Sequence, residues 1–306
     1  KGYDVTILDL RVTPRWEGVL KSYLAENKPI CVGITSLTGP SLKDLLKSVE
    51  IIKEHDNSIP IVFGGVHATL LPEQSLYTVP GVDVVVTFEG DYSFFEVVKV
   101  FEKNSLDEVM KSDALASVKG IYYRKSNVAQ LAQFHHSKDS LAPKGKARTL
   151  KSFPLVVDID IPVTVTGTKS SDTSDRNFEI AFTGDSPLIM DLDELPDTPY
   201  ELLDLSKYDA ADLGNGVSAS FQTSRGCPFA CKFCGNEFLQ KRTMRCISVP
   251  KLVAKIKMLQ TKYGYNSFVF VDDLTLAGRR QFIEFCSALK EIRPKIAWTS
   301  TGIRAN

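Results

Sequence analysis

Short apolar runs rich in β-branched residues recur through the first part of the chain, and glycine, aspartate or hydroxyl residues follow them. The pattern predicts four strands, at residues 5–8, 30–35, 61–63 and 82–86. Apolar residues at the helical spacing predict helices over 41–55 and 92–103. Since continuous apolar runs favour strands that are covered on both faces, we expect a doubly wound, Rossmann-like α/β domain over residues 1–124.

The same alternation returns after residue 200. Residues 249–263 carry one apolar face and have a proline in the first turn, 268–271 read as a strand, 277–292 as a helix, and another strand starts at 296. This predicts a second α/β unit over 201–306. The polar, turn-rich stretch between the two is predicted to be an insert and linker over 125–200. A strand-like patch that begins at Leu155 makes a small β-hairpin an alternative within this insert.

Composition narrows the function classes. The chain has 306 residues, with 37 basic and 37 acidic side chains, so its charge gives no reason to expect a nucleic acid or an anionic membrane as partner. No apolar run approaches the length of about 20 residues that spans a bilayer. Six cysteines, three of them clustered, fit a reducing cytoplasm better than a disulfide framework. Since the chain starts without methionine and both ends lie at strand-like runs, we expect a piece of a longer protein.

The strongest chemical signal is a group of three cysteines, Cys227, Cys231 and Cys234, at the spacing C-x3-C-x2-C. Gly226 and Pro228 shape this stretch, which we call the cysteine loop (residues 226–235), because one permits unusual backbone angles and the other fixes φ. Three thiolates on one loop suit three corners of a 4Fe-4S cluster and leave its fourth iron open for a ligand. A zinc site with Cys246 as fourth thiolate is the alternative, although zinc ligands usually come as two pairs.

The sequence TSRGCPFACKFCGN resembles the cluster loop of the radical S-adenosylmethionine (radical SAM) superfamily, whose signature is C-x3-C-x-aromatic-C. The resemblance implies a partial (β/α) barrel, of which only the first part is present. It also implies that S-adenosylmethionine (SAM) binds at the open iron. The positions that match the family's SAM contacts are Phe233, Gly235, Asp272 and Asp273. For the acidic pair, capping of the following helix remains an equal alternative.

The segments IPIVFGGVHATLLPE and VDVVVTFEGD are similar to the G-G-x-H-x-T and G-E-G-E segments of the cobalamin-binding domain that precedes many radical SAM domains. In that family a further strand precedes the one that opens this chain. The resemblance implies cobalamin contacts from the strand ends, at Thr35, Ser36, Thr38, Gly64, Gly65, His67, Thr69, Glu89 and Gly90. Phe88 and Asp91 stand where the family has glycine and glutamate, and Phe88 is a candidate for narrowing the pocket. For His67, a hydrogen bond within its loop is the alternative to cobalt ligation.

By this resemblance, a reduced cluster cleaves SAM to a 5′-deoxyadenosyl radical, which takes a hydrogen atom from a small-molecule substrate, and methylcobalamin then methylates the carbon. A flavodoxin or ferredoxin is the expected reductant, and neither nucleic acid nor a membrane span is expected. Two other functions stay open: a cobalamin-dependent radical cyclase or rearrangement enzyme, and a non-catalytic module that binds zinc and a ligand. A degenerate copy that binds the cofactors without turnover is a further alternative.

Overall fold

The computed structural model describes residues 2–126, 178–208, 218–276 and 278–303. Its elements form two units. The first unit consists of α1 (Trp16–Glu26), β1 (Val32–Thr35), α2 (Ser41–His55), β2 (Ile61–Gly64), α3 (Val66–Leu70), α4 (Pro72–Thr78), β3 (Val84–Val86), α5 (Gly90–Lys103), α6 (Leu106–Met110), β4 (Ile121–Lys125) and β5 (Glu179–Phe182).

The first unit is built on one five-stranded sheet in the order β1-β2-β3-β4-β5. Strands β1 to β3 are parallel, while β4 and β5 extend the sheet antiparallel. Alternate residues of β2 point into different cores. Ile61 and Phe63 pack with α1, α2 and α4, whereas Val62 packs with α5 and α6. Because helices cover both faces of the sheet, the predicted doubly wound fold is confirmed.

The strand predicted at residues 5–8 is wrong, because these residues lie outside any strand. Val5 and Ile7 are exposed, and Leu8 packs against the core from the side. An apolar run forms a strand only when a sheet edge pairs with its backbone, which residue type alone does not determine.

Two strands of the first unit were not predicted from the sequence. Strand β4 falls at the end of the first predicted domain, and β5 falls inside the stretch 125–200 that was predicted to be insert and linker. Both belong to the first unit's sheet. The possible hairpin from Leu155 lies outside the described residues.

The second unit is an open parallel sheet in the order β10-β9-β6, with a two-stranded β7-β8 ladder beside it. Its elements are β6 (Ser218–Phe221), β7 (Ser224–Arg225), α7 (Asn236–Gln240), β8 (Arg245–Cys246), α8 (Val249–Tyr263), β9 (Ser267–Phe270), α9 (Arg279–Lys290) and β10 (Ala297–Ser300). The apolar face of α8 packs on Phe268 and Phe270, as its pattern predicts. Strands alternate with helices as in the first part of a (β/α) barrel, and the described residues do not close one.

The linker before β6 is docked on the second unit. The Ser248 backbone N–H donates to Asp193 Oδ1 at 2.9 Å, and Lys251 Nζ donates to the carbonyl oxygens of Asp193 and Leu195 at 2.6 and 2.7 Å. Tyr200 is buried in the core of the second unit. The linker therefore holds a defined position at the start of α8. Within the described ranges, no helix is both long and apolar enough to cross a membrane.

Candidate functional site

The loops that follow the three parallel strands of the first unit are joined by hydrogen bonds. Thr38 Oγ1 lies 3.1 Å from His67 Nδ1, and the Phe88 backbone N–H donates to Thr69 Oγ1 at 2.9 Å. Gly65 has a φ of 97°, and a Cβ there would lie 2.6 Å from Thr35 Oγ1, so this position requires glycine. The structure thus brings the predicted cobalamin residues of all three loops to one end of the sheet.

The predicted contacts differ in accessibility. Thr35 and Thr38 are exposed, Gly64, Gly65, His67 and Gly90 are partly exposed, and Ser36, Thr69 and Glu89 are buried. The hydroxyl of Ser36 is engaged within its own loop, by the carbonyl of Leu37 and the hydroxyl of Ser41. The six residues that are exposed or partly exposed are accessible to solvent at the strand ends. The cobalamin role of each of the nine residues stays a prediction.

Burial lowers the pKa of His67 below its ordinary value. Since the folded protein then binds this proton less readily than the unfolded chain, His67 stabilises the fold fully above the unfolded pKa of about 6.5. That contribution is lost as the pH falls below this value. We therefore expect the advantage in unfolding free energy over His67→Gln to shrink between pH 7 and pH 5. Urea titrations at each pH measure it. The exposed His55 provides the control, and an equal change in His55→Gln would contradict the assignment.

Phe88 adopts a backbone conformation that suits glycine better. Its φ is 58°, in the left-handed region, which costs a non-glycine residue about 1 kcal/mol. The ring lies 5.5 Å from the ring of Phe238 in α7, and Lys241 Nζ lies 5.6 Å from its centroid. Glycine, which the related family has at this position, adopts this conformation without that cost. In this chain the side chain contacts the second unit.

The cysteine loop connects β7 to α7. Cys231 and Cys234 are exposed, Cys227 is partly exposed, and all three thiols are free. The Cys234 backbone N–H donates to the Cys231 carbonyl at 3.0 Å, which closes a turn between them. Gly226 has a φ of 87°, and a Cβ there would lie 2.2 Å from the Thr243 carbonyl oxygen, so only glycine fits. The ring of Phe233 is 90% exposed.

The donor set of this loop fits three ligands of an iron–sulfur cluster in number and chemistry. Within the described residues, however, no three histidine, cysteine or acidic side chains are gathered closely enough to hold a metal ion. All three thiols are accessible to solvent, and their ligation of a cluster stays a prediction. Cys246 differs, since it packs against the core of the second unit. Burial, followed by the charge of Asp272, raises the pKa of its thiol.

Asp272 fastens the entrance to the cysteine loop. Its Oδ1 accepts hydrogen bonds from the backbone N–H groups of Thr223 and Ser224 at 2.7 and 2.9 Å. Its Oδ2 accepts from the hydroxyls of Thr223 and Thr275 at 2.7 and 2.8 Å. The carboxylate is buried, whereas Asp273 is exposed. The capping alternative for this pair is wrong, because the N-cap of α9 is Gly278. Their contact with SAM stays a prediction.

An ion-pair cluster, which we call the interunit network, joins the two units and is buried at Glu89 and Arg245 and partly exposed at Arg225 and Asp91. Glu89 Oε2 and Oε1 accept from Arg245 Nη1 at 2.7 and 2.8 Å, and Oε1 also accepts from Arg225 Nη1 at 3.3 Å. The Ile189 backbone N–H donates to Glu89 Oε2 at 2.8 Å. Arg225 forms two further bonds to Asp91, at 2.9 and 3.2 Å.

The two arginines of this network were missed from the sequence. Arg225 and Arg245 pair directly across the β7-β8 ladder, at the base of the cysteine loop. Burial alone would lower the pKa of Arg225, but the hydrogen bond to Asp91 and the charges of Asp91 and Glu89 raise it above its ordinary value. The sequence did offer a signal for Arg225, because this residue stands directly before Gly226 in the cysteine motif.

Residues 1–98 match the family model of the B12 binding domain. This supports cobalamin binding by the first unit and agrees with its doubly wound sheet. The match ends within α5, so it covers the three parallel strands and the loops after them.

Curated relatives match along almost the whole chain. An uncharacterized methyltransferase of Pyrococcus horikoshii is 25% identical over 98% of this chain and 52% of its own length. The anaerobic magnesium-protoporphyrin IX monomethyl ester cyclase of Cereibacter sphaeroides is 25% identical over 91% of this chain and 36% of its own. The cytidylyl-2-hydroxyethylphosphonate methyltransferase of Streptomyces wedmorensis is 23% identical over 88% and 44%. The chain thus spans about half the length of these relatives, or less. Through its B12-binding domain and these relatives, the chain is similar to the cobalamin-binding radical SAM family that its motifs resemble.

Proposed function

We propose that the protein is a cobalamin-dependent radical SAM enzyme that methylates a carbon atom of a small-molecule substrate. One observation carries the proposal: residues 88–91, at the predicted cobalamin site, are hydrogen-bonded to both strands at the base of the cysteine loop. This contact supports the proposal, because a reaction that uses both cofactors requires neighbouring sites. The names of two of the relatives above, which are methyltransferases, favour methylation.

The residues divide into two groups by their position. In this proposal Cys227, Cys231 and Cys234 hold a 4Fe-4S cluster, and the exposed ring of Phe233 offers a flat apolar face to SAM. A Cβ at Gly235 would meet no atom within 4 Å, so the space beside the third cysteine is open for a ligand. When bound, the cluster and SAM supply a 5′-deoxyadenosyl radical and cobalamin supplies a methyl group.

The strand-end loops of the first unit are the proposed cobalamin site. Thr35 and Thr38 present exposed hydroxyls there, and His67 is held by Thr38. The absence of side chains at Gly64 and Gly65 lets a large flat ligand approach the backbone. In the proposal these loops bind and orient cobalamin, and the contact with the second unit faces it toward the cysteine loop.

A radical cyclisation without methyl transfer is the second candidate. It is favoured by the similarity to the anaerobic cyclase over 91% of this chain. Product mass separates the two reactions, because methylation adds a methyl group, whereas oxidative ring closure removes hydrogen atoms. A flavodoxin or ferredoxin is the proposed reductant for either reaction.

The test uses the full-length protein, reconstituted anaerobically with iron and sulfide and then mixed with cobalamin, SAM and a chemical reductant. We expect about four iron atoms per chain, cobalamin that survives desalting, and formation of 5′-deoxyadenosine. Stoichiometric zinc without iron or sulfide would overturn the proposal in favour of a zinc-binding module. A cluster without retained cobalamin would overturn the cobalamin-dependent part of the proposal. Phe88, which is a candidate for narrowing the pocket, would then be the first residue to replace.

A further inference from the structure

We propose that the interunit network is a positioning device that fixes the cysteine loop relative to the cobalamin site. In this inference Glu89, predicted from sequence as a cobalamin contact, is a positioning residue that acts through Arg225 and Arg245. The inference rests on the proposed function, since it assigns the network to the geometry between the two cofactors.

The first step is that residues 88–91 hold both ends of the cysteine loop. Before the loop, Arg225 bonds to Glu89 and Asp91. After the loop, the ring of Phe88 packs on Phe238 in α7. Arg245, which Glu89 binds, also donates through Nη2 to the Gln240 side chain at the end of α7. A shift of residues 88–91 therefore displaces the chain on both sides of the three cysteines.

The second step is that the same segment is tied to the predicted cobalamin loops. The Phe88 backbone N–H donates to Thr69 Oγ1, and Thr69 in turn donates to the Gly65 carbonyl at 2.9 Å. Gly65 lies between β2 and α3, directly before the helix that carries His67. Hydrogen bonds thus connect the Gly65 carbonyl to the backbone of Phe88, and the neighbouring side chains of Glu89 and Asp91 bind Arg225 before the cysteine loop.

The third step concerns burial. The side chains of Arg245 and Glu89 are only 2% and 5% exposed. A buried ion pair of this kind is a weak source of net stability, because removing both charges from water offsets most of their attraction. The two side chains are nevertheless held firmly in contact. If either one moved away, the other would remain as a buried charge without a counter-charge. The arrangement suits a fixed relative position better than added stability.

The fourth step is that both oxygens of the Glu89 carboxylate are fully used as hydrogen-bond acceptors within the network. Both of its oxygens accept from Arg245, and each accepts one further bond, from Arg225 or from the Ile189 backbone. A ligand contact would have to replace one of these buried bonds. The network, and not cobalamin, is therefore the partner that the structure assigns to Glu89.

The experiment compares Glu89→Gln and Asp91→Asn with the control Glu96→Gln in the full-length protein. Glu96 lies on the same helix as Asp91 and is exposed, and its ion pair within the described part of the chain is the local one with Lys99. Asp91 is partly exposed, so its variant tests the network even where Glu89→Gln fails to fold. The first readout is hydrogen exchange of the apoprotein at α7, and the second is the magnetic dipolar coupling between cob(II)alamin and the reduced cluster.

We expect exchange at residues 236–240 to rise by about tenfold in both network variants and to stay unchanged in Glu96→Gln. In the loaded protein, each cofactor's own spectrum is retained while their dipolar coupling weakens or broadens. Unchanged exchange in both variants overturns the inference, even where the parent protein binds no cofactor and the proposed function itself has failed. Altered exchange with an unchanged coupling overturns it as well, because the network would then be structural only.

Discussion

The Cys234→Ser variant is expected to fold normally and to lose the 4Fe-4S cluster together with all cleavage of SAM. Cys234 is exposed on the cysteine loop and lies outside the apolar cores, so its replacement should change the unfolding free energy by no more than about 0.5 kcal/mol. A serine hydroxyl does not replace a thiolate as the third ligand, and the two remaining cysteines hold only two corners of the cluster. Iron and sulfide analysis, the visible spectrum and an assay for 5′-deoxyadenosine measure the loss.

Cys286→Ser is the matched control for this variant. Cys286 lies on α9, away from the cysteine loop, and burial raises the pKa of its thiol. Its variant should keep the cluster and the cleavage activity. Full iron and sulfide content in Cys234→Ser would refute the assignment of Cys234 as a cluster ligand. If the variant instead lost bound zinc, the three cysteines would be ligands of a structural zinc site.

The regular parts of the fold were the parts that the sequence predicted well. Helix α8 runs from Val249 to Tyr263, as predicted, because every signal that defines it is local. Pro250 lies in the first turn, the Ser248 side chain caps the start, and Gly264 ends the helix with a left-handed conformation. Such signals are read within a few residues, so tertiary contacts need not be known.

The errors occur where distant backbone decides the structure. Residues 5–8 have the composition of a strand but do not pair with a sheet edge, whereas β5 joins β4 from a polar region. Strand pairing depends on which segment reaches the edge of a sheet, and composition carries little of that information.

The candidate site divides in the same way. The three cysteines were found because ligand spacing within one loop is a local property. The interunit network was not found, because Glu89 and Arg245 are 156 positions apart and Glu89 and Arg225 are 136 apart. A single charged residue has no spacing that identifies its partner. The role of Asp272 was missed for the same reason, since its partners Thr223 and Ser224 precede it by 49 and 48 positions.

The second large effect is expected for Asp272→Ala, which should destabilise the second unit by about 3–5 kcal/mol. The substitution removes the acceptor for two buried backbone N–H groups, at Thr223 and Ser224, and for two hydroxyls. Each buried donor that is left without a partner costs about 1–3 kcal/mol. Asp272→Asn keeps one side-chain oxygen and should lose roughly half as much.

Urea denaturation followed by the fluorescence of Trp298 measures this loss, because Trp298 lies in β10 of the second unit. A Trp16→Phe background removes the signal of the first unit, where the other tryptophan lies in α1. Asp273→Ala is the control, since that carboxylate is adjacent and exposed. A denaturation midpoint for Asp272→Ala equal to that of Asp273→Ala would disprove the anchoring role. A lower midpoint together with poorer cluster uptake would show that the carboxylate holds the strand end from which the cysteine loop departs.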